Sequence, residues 1–126
     1  MRIVVVGLGP GPADLLTVRA ERILRRATRL FLRTRHHPMA ETLRAWGVSF
    51  DTFDAYYETH PTFEEVYRAM ATRLLEEARQ AADEPVVYAV PGHPTVAERS
   101  VAVLVEMIRQ EGDRKSTRLN SSHLGI

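Results

Sequence analysis

Two short segments rich in glycine and proline are the residues best suited to chemistry in this sequence. The first is Gly7–Pro12 (GLGPGP) and the second is Pro91–Pro94 (PGHP). Glycines let a ligand approach the backbone and its N–H groups, and prolines restrict the path of the chain around them. Both segments are therefore candidates for a ligand site built largely from main-chain atoms. The alternative for the first is an ordinary tight turn.

The spacing within the first segment excludes the familiar nucleotide-binding loops. Its three glycines do not form a G-x-G-x-x-G pattern, and the sequence contains no Gly-Lys-Ser/Thr. The second predicted strand ends in Arg33 and Thr34 rather than in the acidic residue that would hold a ribose. Because Pro10 stiffens the loop and lacks an N–H, the segment suits a planar or sulfonium-bearing ligand better than a phosphate.

Histidine and carboxylate side chains offer weaker candidates. His93 lies where its side chain could face a crevice, although a loop histidine is more often solvated or a helix cap. The remaining histidines lack a carboxylate at a fixed spacing, so we expect no metal site from His36, His37 and His60. A further group forms either a pocket lining or a polar loop with half-buried tyrosines: Asp51, Asp54, Tyr56, Tyr57 and Glu58. No residue is identified as catalytic.

The composition narrows the class of protein. The chain has 126 residues, of which 44% are hydrophobic and 26% charged, and this predicts one globular domain. The absence of cysteine excludes a disulfide scaffold and a thiol nucleophile. The formal net charge of +1 argues against a nucleic-acid surface, and no apolar run approaches the roughly 20 residues that span a bilayer. We therefore expect a cytoplasmic protein that binds neither nucleic acid nor a membrane.

Alternating strands and helices must position the two loops. Buried or alternating apolar runs predict four strands, at residues 2–6, 29–33, 48–53 and 85–90. Apolar residues at helical spacing predict four helices, at about 18–27, 38–46, 62–82 and 95–110. This order predicts an α/β domain with a mostly parallel sheet and helices on both faces. Both glycine segments follow strands, so they lie at the edge where such sheets bind ligands.

The last fourteen residues differ in composition from the rest. The only lysine and the only asparagine lie there, while residues 1–112 carry fourteen basic against fifteen acidic residues. Asp113–His123 resembles the translation of a common sequencing-library adapter, and Leu124–Ile126 is similar to what its index and the resumed adapter would encode. The alternative is a genuine serine-rich, solvated terminus. We expect a native domain over 1–112 and a non-native, disordered tail over 113–126.

The glycine segments also carry a family resemblance. Gly7–Thr17 has a G-x-G-P-G sequence followed by L-L-T, and Val90–Pro94 is followed by Ala97–Arg99. These motifs resemble the two cofactor loops of the tetrapyrrole (corrin/porphyrin) methylases, a family of S-adenosylmethionine-dependent methyltransferases. The P-G-H-P form is similar to that of the methylase-like domain fused ahead of MazG-type nucleotide pyrophosphohydrolases. The resemblance covers essentially all of residues 1–112.

The resemblance implies a cofactor site on both loops. S-adenosylmethionine would lie between this N-terminal α/β domain and a second, C-terminal one, largely on main-chain atoms. The residues of this chain around it would be Gly9, Pro10, Gly11, Pro91, Gly92 and His93. His93 stands where the family more often has aspartate, which replaces an ionised acceptor by a group that donates or accepts.

The resemblance further implies what the whole protein does. The chain would be the N-terminal, cofactor-binding half of a methyltransferase and would be inactive by itself. The intact protein would be a homodimer acting on a small molecule, with tetrapyrroles as candidates. The alternative is a non-catalytic, methylase-like regulatory module of a MazG-type nucleoside triphosphate pyrophosphohydrolase. A ribosomal RNA methylase of the same fold fits less well, because its loop differs from P-G-H-P.

Overall fold

A computed structural model describes residues 2–92 and 98–111 as four strands, five α-helices and one 3-10 turn. In chain order these are β1 (Ile3–Gly7), the 3-10 turn (Ala13–Leu15), α1 (Val18–Arg26), β2 (Leu30–Leu32), α2 (Pro38–Ala45), β3 (Asp51–Thr52), α3 (Tyr56–Thr59), α4 (Phe63–Gln80), β4 (Val86–Val90) and α5 (Arg99–Glu111). The strands form one parallel sheet in the order β1-β4-β2-β3. The predicted α/β fold with a parallel sheet is confirmed.

The sheet is covered on both faces because its strands are apolar on both sides. Every residue of β1 and β4 is buried, which explains why their sequences are continuous apolar runs. Ile3 and Val5 join a core cluster with residues of α4 and α5. Val4 and Val6, on the opposite face, join a second cluster with residues of α1 and α2. The two pairs of helices therefore enclose the sheet.

Local capping signals set where the helices begin. The Thr17 hydroxyl accepts a hydrogen bond from the N–H of Ala20 at 3.0 Å, and α1 begins at the next residue. Thr62 does the same for α4, since its hydroxyl accepts from the N–H of Glu65 at 3.2 Å. The inward face predicted for α4 is confirmed, as its four predicted core residues are buried: Val66, Met70, Leu74 and Ala78.

Three local features differ from the sequence prediction or fall outside it. β3 has two residues instead of the predicted six, although the N–H of Phe53 still donates to the carbonyl of Leu32 at 3.1 Å. α3 was not predicted, because a helix of four residues is too short to show periodicity. The described part of the last helix begins at Arg99, and its predicted start and the predicted tail at 113–126 lie outside the described residues.

Among residues 2–92 and 98–111, no helix has the length and apolar character to cross a membrane.

Candidate functional site

The loops after β1 and β4 meet at the carboxyl edge of the sheet. The N–H of Leu8 donates to the carbonyl of Val90 at 2.8 Å, and the N–H of Gly92 donates to the carbonyl of Gly9 at 3.1 Å. Gly9 and Gly92 thereby form an antiparallel bridge, although the strands that precede them run parallel. The bridge joins two loops that are far apart in the sequence into one surface.

Backbone conformation explains why both bridge residues are glycines. Gly9 has φ +71° and Gly92 has φ +66°, in the left-handed region that other residues rarely adopt. A Cβ on Gly9 would lie 3.8 Å from the carbonyl oxygen of Leu15, and a Cβ on Gly92 would meet no described atom within 4 Å. On this side, the described part of the chain leaves the backbone of Gly92 open to a ligand. The exposed ring of Pro10 lies next to Gly9 in the same loop.

A third loop reaches the bridge through His37. This residue caps α2, since its Nδ1 accepts a hydrogen bond from the N–H of Met39 at 3.0 Å. Its other ring nitrogen, Nε2, lies 2.8 Å from the carbonyl oxygen of Gly9. Pro38 occupies the first position of the helix, where its missing N–H is not needed. The loop between β2 and α2 therefore contacts the candidate ligand loop directly.

An open pocket of about 610 Å³ lies beside this edge, after β2. The N–H of Arg33 donates to the carbonyl of Ala89 at 3.0 Å, which places the end of β2 next to the end of β4. The rings of Phe63 and Tyr67 are stacked with centroids 6.3 Å apart, and the ring of Tyr57 packs edge-on against both. Phe63 is 69% exposed. The pocket thus has an aromatic wall and a volume typical of small-molecule sites.

A partly buried ion pair joins this pocket to the start of α5. The Nε of Arg33 lies 3.5 Å from Oε1 of Glu98, and its Nη1 donates to the hydroxyl of Tyr57 at 3.2 Å. No described group accepts a hydrogen bond from the buried Nε. Burial lowers the pKa of Arg33, but the hydrogen bond to Tyr57 and the charge of Glu98 outweigh it, so the pKa lies above its usual value. The guanidinium is therefore a permanent cation in the pocket wall.

Asp54 organises the loop that follows β2. Its carboxylate accepts hydrogen bonds from the hydroxyl of Thr34 at 2.6 Å and from the N–H of Arg35 at 2.8 Å. Burial raises the pKa of Asp54, but these hydrogen bonds outweigh that effect and hold the pKa below its usual value. Asp54 is therefore ionised at neutral pH and fixes the rim of the pocket.

The sequence model of the family described as Tetrapyrrole (Corrin/Porphyrin) Methylases matches residues 2–114. The chain belongs to this family. It is also 47% identical, over 110 residues, to the uncharacterized protein YabN of Bacillus subtilis (strain 168). The aligned part covers 87% of this chain but 22% of YabN, so the chain spans a minor part of the length of that relative.

Five of the six predicted cofactor-binding residues lie in the described part of the chain. The bridge brings Gly9, Pro10 and Gly11 to the same edge as Pro91 and Gly92. Gly11 is buried, and a Cβ there would lie at an ordinary 3.6 Å from the side chain of Leu15. The sixth, His93, lies outside the described residues. The cofactor role of all six stays a prediction.

The residues at the bridge fit the cofactor that this family generally uses, S-adenosylmethionine. Among the described residues, the Cβ side of Gly92 and the exposed ring of Pro10 present main-chain and apolar surface, as a flat and largely uncharged adenosyl group requires. The carbonyl of Gly9 is already hydrogen-bonded within the protein. In the part of the chain that the structure describes, no group of three histidine, aspartate or glutamate side chains is arranged for a metal ion.

The five residues predicted as a pocket lining or as a polar loop are divided between the pocket and other places, and the two tyrosines are half-buried as expected. Asp54, Tyr57 and Glu58 line the pocket, whereas Tyr56 packs against the core and Asp51 lines two other surface depressions.

Three residues of the site were not predicted from the sequence. They are Arg33 and Glu98, which form the ion pair, and His37, which contacts the carbonyl of Gly9. A histidine directly before a proline signals a helix cap, but no local pattern indicates its contact with Gly9.

Proposed function

We propose that this chain is the cofactor-binding half of an S-adenosylmethionine-dependent methyltransferase. The observation that supports it most directly is the bridge between Gly9 and Gly92, which joins two glycine loops at one edge of a parallel sheet. Ligands of such sheets bind beyond the carboxyl ends of the strands. Membership of the tetrapyrrole methylase family supports the choice of ligand.

Both loops would hold the cofactor, through Gly9, Pro10, Gly11, Pro91, Gly92 and His93. S-adenosylmethionine supplies, when bound, a methyl group on a positively charged sulfur. The role of these residues is to bind and orient, because methyl transfer depends mainly on bringing an acceptor into line with that group. The lack of an assigned acid–base pair is compatible with this chemistry.

The acceptor would enter through the pocket beside the bridge. Its aromatic wall of Tyr57, Phe63 and Tyr67 offers a stacking surface, and Arg33 offers a permanent cation. The aromatic groups suit a planar ring system. A tetrapyrrole is the acceptor class to try first, since it has this chemistry and the family is named for it.

The proposal extends to the protein from which this chain derives. We infer that residues 1–112 are a native N-terminal domain and that 113–126 are translated adapter. The intact protein would be a cytoplasmic homodimer whose C-terminal half forms the other wall of the cleft. The 126-residue chain alone should then show neither methyl transfer nor micromolar affinity for S-adenosylmethionine. Sequencing the genomic locus across codon 112 tests the boundary, and a genome that encodes Asp113–Ile126 would contradict it.

A regulatory module of a MazG-type pyrophosphohydrolase is the second candidate function. Two points favour it: by the family resemblance His93 stands where an aspartate would be more usual, and most of the length of YabN lies outside the aligned region. As a regulatory module, the domain would have the methylase fold but would not transfer methyl groups. Nucleoside triphosphate hydrolysis by the intact protein, together with no transfer of labelled methyl to any tetrapyrrole tested, would favour this candidate.

Calorimetric titration of the uninterrupted gene product with S-adenosylmethionine tests the leading proposal. The informative variant is Gly92→Ala, and its matched control is Gly47→Ala, because Gly47 has φ +77° and also has no described atom within 4 Å of an added Cβ. Each alanine adds strain of about 1 kcal/mol. Only Gly92→Ala should weaken cofactor binding, by about tenfold or more. A wild-type protein that binds no cofactor, or two variants with equal affinity, would overturn the proposal.

A further inference from the structure

The contacts of His37 fix which of its ring nitrogens carries a proton. Nδ1 accepts from the N–H of Met39 at 3.0 Å, so it is unprotonated. Nε2 lies 2.8 Å from the carbonyl oxygen of Gly9, which can only accept. Both contacts are satisfied together only when the ring is neutral with its proton on Nε2. His37 therefore donates to Gly9 while it caps α2.

This hydrogen bond is the second that the carbonyl oxygen of Gly9 accepts. The oxygen of Gly9 has two lone pairs, and it accepts one hydrogen bond from the N–H of Gly92 at 3.1 Å and one from His37. The loops that follow β1, β2 and β4 are thus held at one atom. Glycines such as Gly9 and Gly92 have no side chain that restricts the backbone. The hydrogen bond from His37 therefore helps to keep the loop in one arrangement.

We propose that His37 is a positioning residue for the candidate cofactor loop. As the neutral Nε2–H tautomer it holds the carbonyl of Gly9 and thereby keeps residues 9–11 in register with Gly92 before any ligand arrives. The effect of His37 on cofactor binding rests on the proposed function, whereas its hydrogen bond to the loop does not depend on that function. A loop ordered in advance binds its ligand more tightly, because less conformational entropy is lost on binding.

Two substitutions separate the positioning role of His37 from its capping role. Asparagine is among the best helix-capping residues, so His37→Asn keeps the cap of α2, but its side chain is too short to reach Gly9. His37→Ala removes both contacts. His36→Asn is the matched control, because His36 is the adjacent histidine and its side chain is 74% exposed.

Nuclear magnetic resonance of the ¹⁵N-labelled 126-residue chain tests the arrangement without any ligand. Long-range proton–nitrogen spectra should show His37 as the neutral Nε2–H tautomer. The amide of Gly92 should exchange with solvent about tenfold faster in His37→Asn and His37→Ala, and at the wild-type rate in His36→Asn. A proton on Nδ1, or an unchanged Gly92 amide in His37→Asn, would overturn the proposal. Thermal unfolding of His37→Asn near the wild-type midpoint shows that the fold is retained.

Titration of the uninterrupted protein with S-adenosylmethionine separates this proposal from the proposed function. If the wild type binds, His37→Asn should lose about tenfold in affinity, as for one lost hydrogen bond and the loosened loop, and His36→Asn should lose none. Equal affinities of the wild type and His37→Asn would overturn the positioning role. A wild type that does not bind would overturn the proposed function, while the exchange of Gly92 would still decide the loop arrangement.

Discussion

The hydroxyl oxygens of Tyr88 and Ser100 lie 2.7 Å apart inside the core. Ser100 donates its own proton to the carboxylate of Glu98 at 2.6 Å, so the Tyr88 hydroxyl must be the donor to Ser100. Burial raises the pKa of Tyr88 far above its usual value, and the hydroxyl therefore remains a donor wherever the domain is folded. These hydrogen bonds tie the centre of β4 to the first turn of α5 and, through Glu98, to Arg33.

This order of donors predicts unequal losses of stability for two substitutions. Tyr88→Phe removes the outermost donor and leaves the bond from Ser100 to Glu98, so we expect a loss of about 1 kcal/mol. Ser100→Ala leaves both Tyr88 and Glu98 without that partner and should cost about 2 kcal/mol. Urea unfolding followed by circular dichroism measures both values. A larger loss for Tyr88→Phe than for Ser100→Ala would contradict this order of donors.

Neutralising Glu98 should destabilise the domain because Arg33 keeps its charge. We expect Glu98→Gln to cost about 2 kcal/mol, below the usual loss for a broken buried pair, since a quarter of the Arg33 side chain is exposed. Glu106→Gln is the control, as Glu106 is an exposed residue of α5, the helix that follows Glu98. If both variants unfold at the same urea concentration, the pair contributes nothing to stability.

The lowered pKa of Asp54 predicts a loss of stability in acid. Its folded pKa lies below its ordinary value of 3.8, so the ionised form contributes fully above that value. The contribution is lost progressively as the pH falls from 3.8 towards the lower folded pKa. The stability difference between the wild type and Asp54→Asn should therefore shrink in this window, as measured by urea unfolding down to about pH 2.5. A difference that is constant with pH would refute the assignment.

Two leucines near the candidate loop should respond very differently to truncation. Leu24 is fully buried beneath the sheet, and Leu24→Ala should cost between about 2 and 5 kcal/mol through lost burial and a cavity. Leu15 is 53% exposed, and Leu15→Ala should change stability by no more than about 0.5 kcal/mol. Thermal unfolding of the two variants checks the contrast. A large loss for Leu15→Ala would mean that this side chain is covered in solution.

Local sequence signals predicted the elements well where those signals are strong. The caps at Thr17 and Thr62 and the apolar periodicity placed α1 and α4 within two residues of their ends. β3 was overestimated because an alternating pattern shows which residues are partly buried but not how many pair with a neighbour. The strand order was not predicted, since parallel strands carry no local signal for their partners.

The candidate site was predicted only in part, because contacts between segments that are far apart in the sequence have no local signal. A loop that follows a parallel strand must lie at the carboxyl edge, so the placement of Gly9 and Gly92 at one edge followed from the fold, whereas their pairing required the strand order. The contact of His37 with Gly9 did not, because it depends on how the cap of α2 is oriented relative to a neighbouring loop. Non-local hydrogen bonds of this kind need three-dimensional information.

The strand order has a consequence for association. β1 is an outer strand, and within the described residues it pairs only with β4, although every one of its residues is buried. Its sequence, IVVVG, has no charged residue or proline, the features that usually protect such an edge from aggregation. The burial of its residues by the surrounding side chains therefore takes the place of those features and keeps strands of other copies away from this edge.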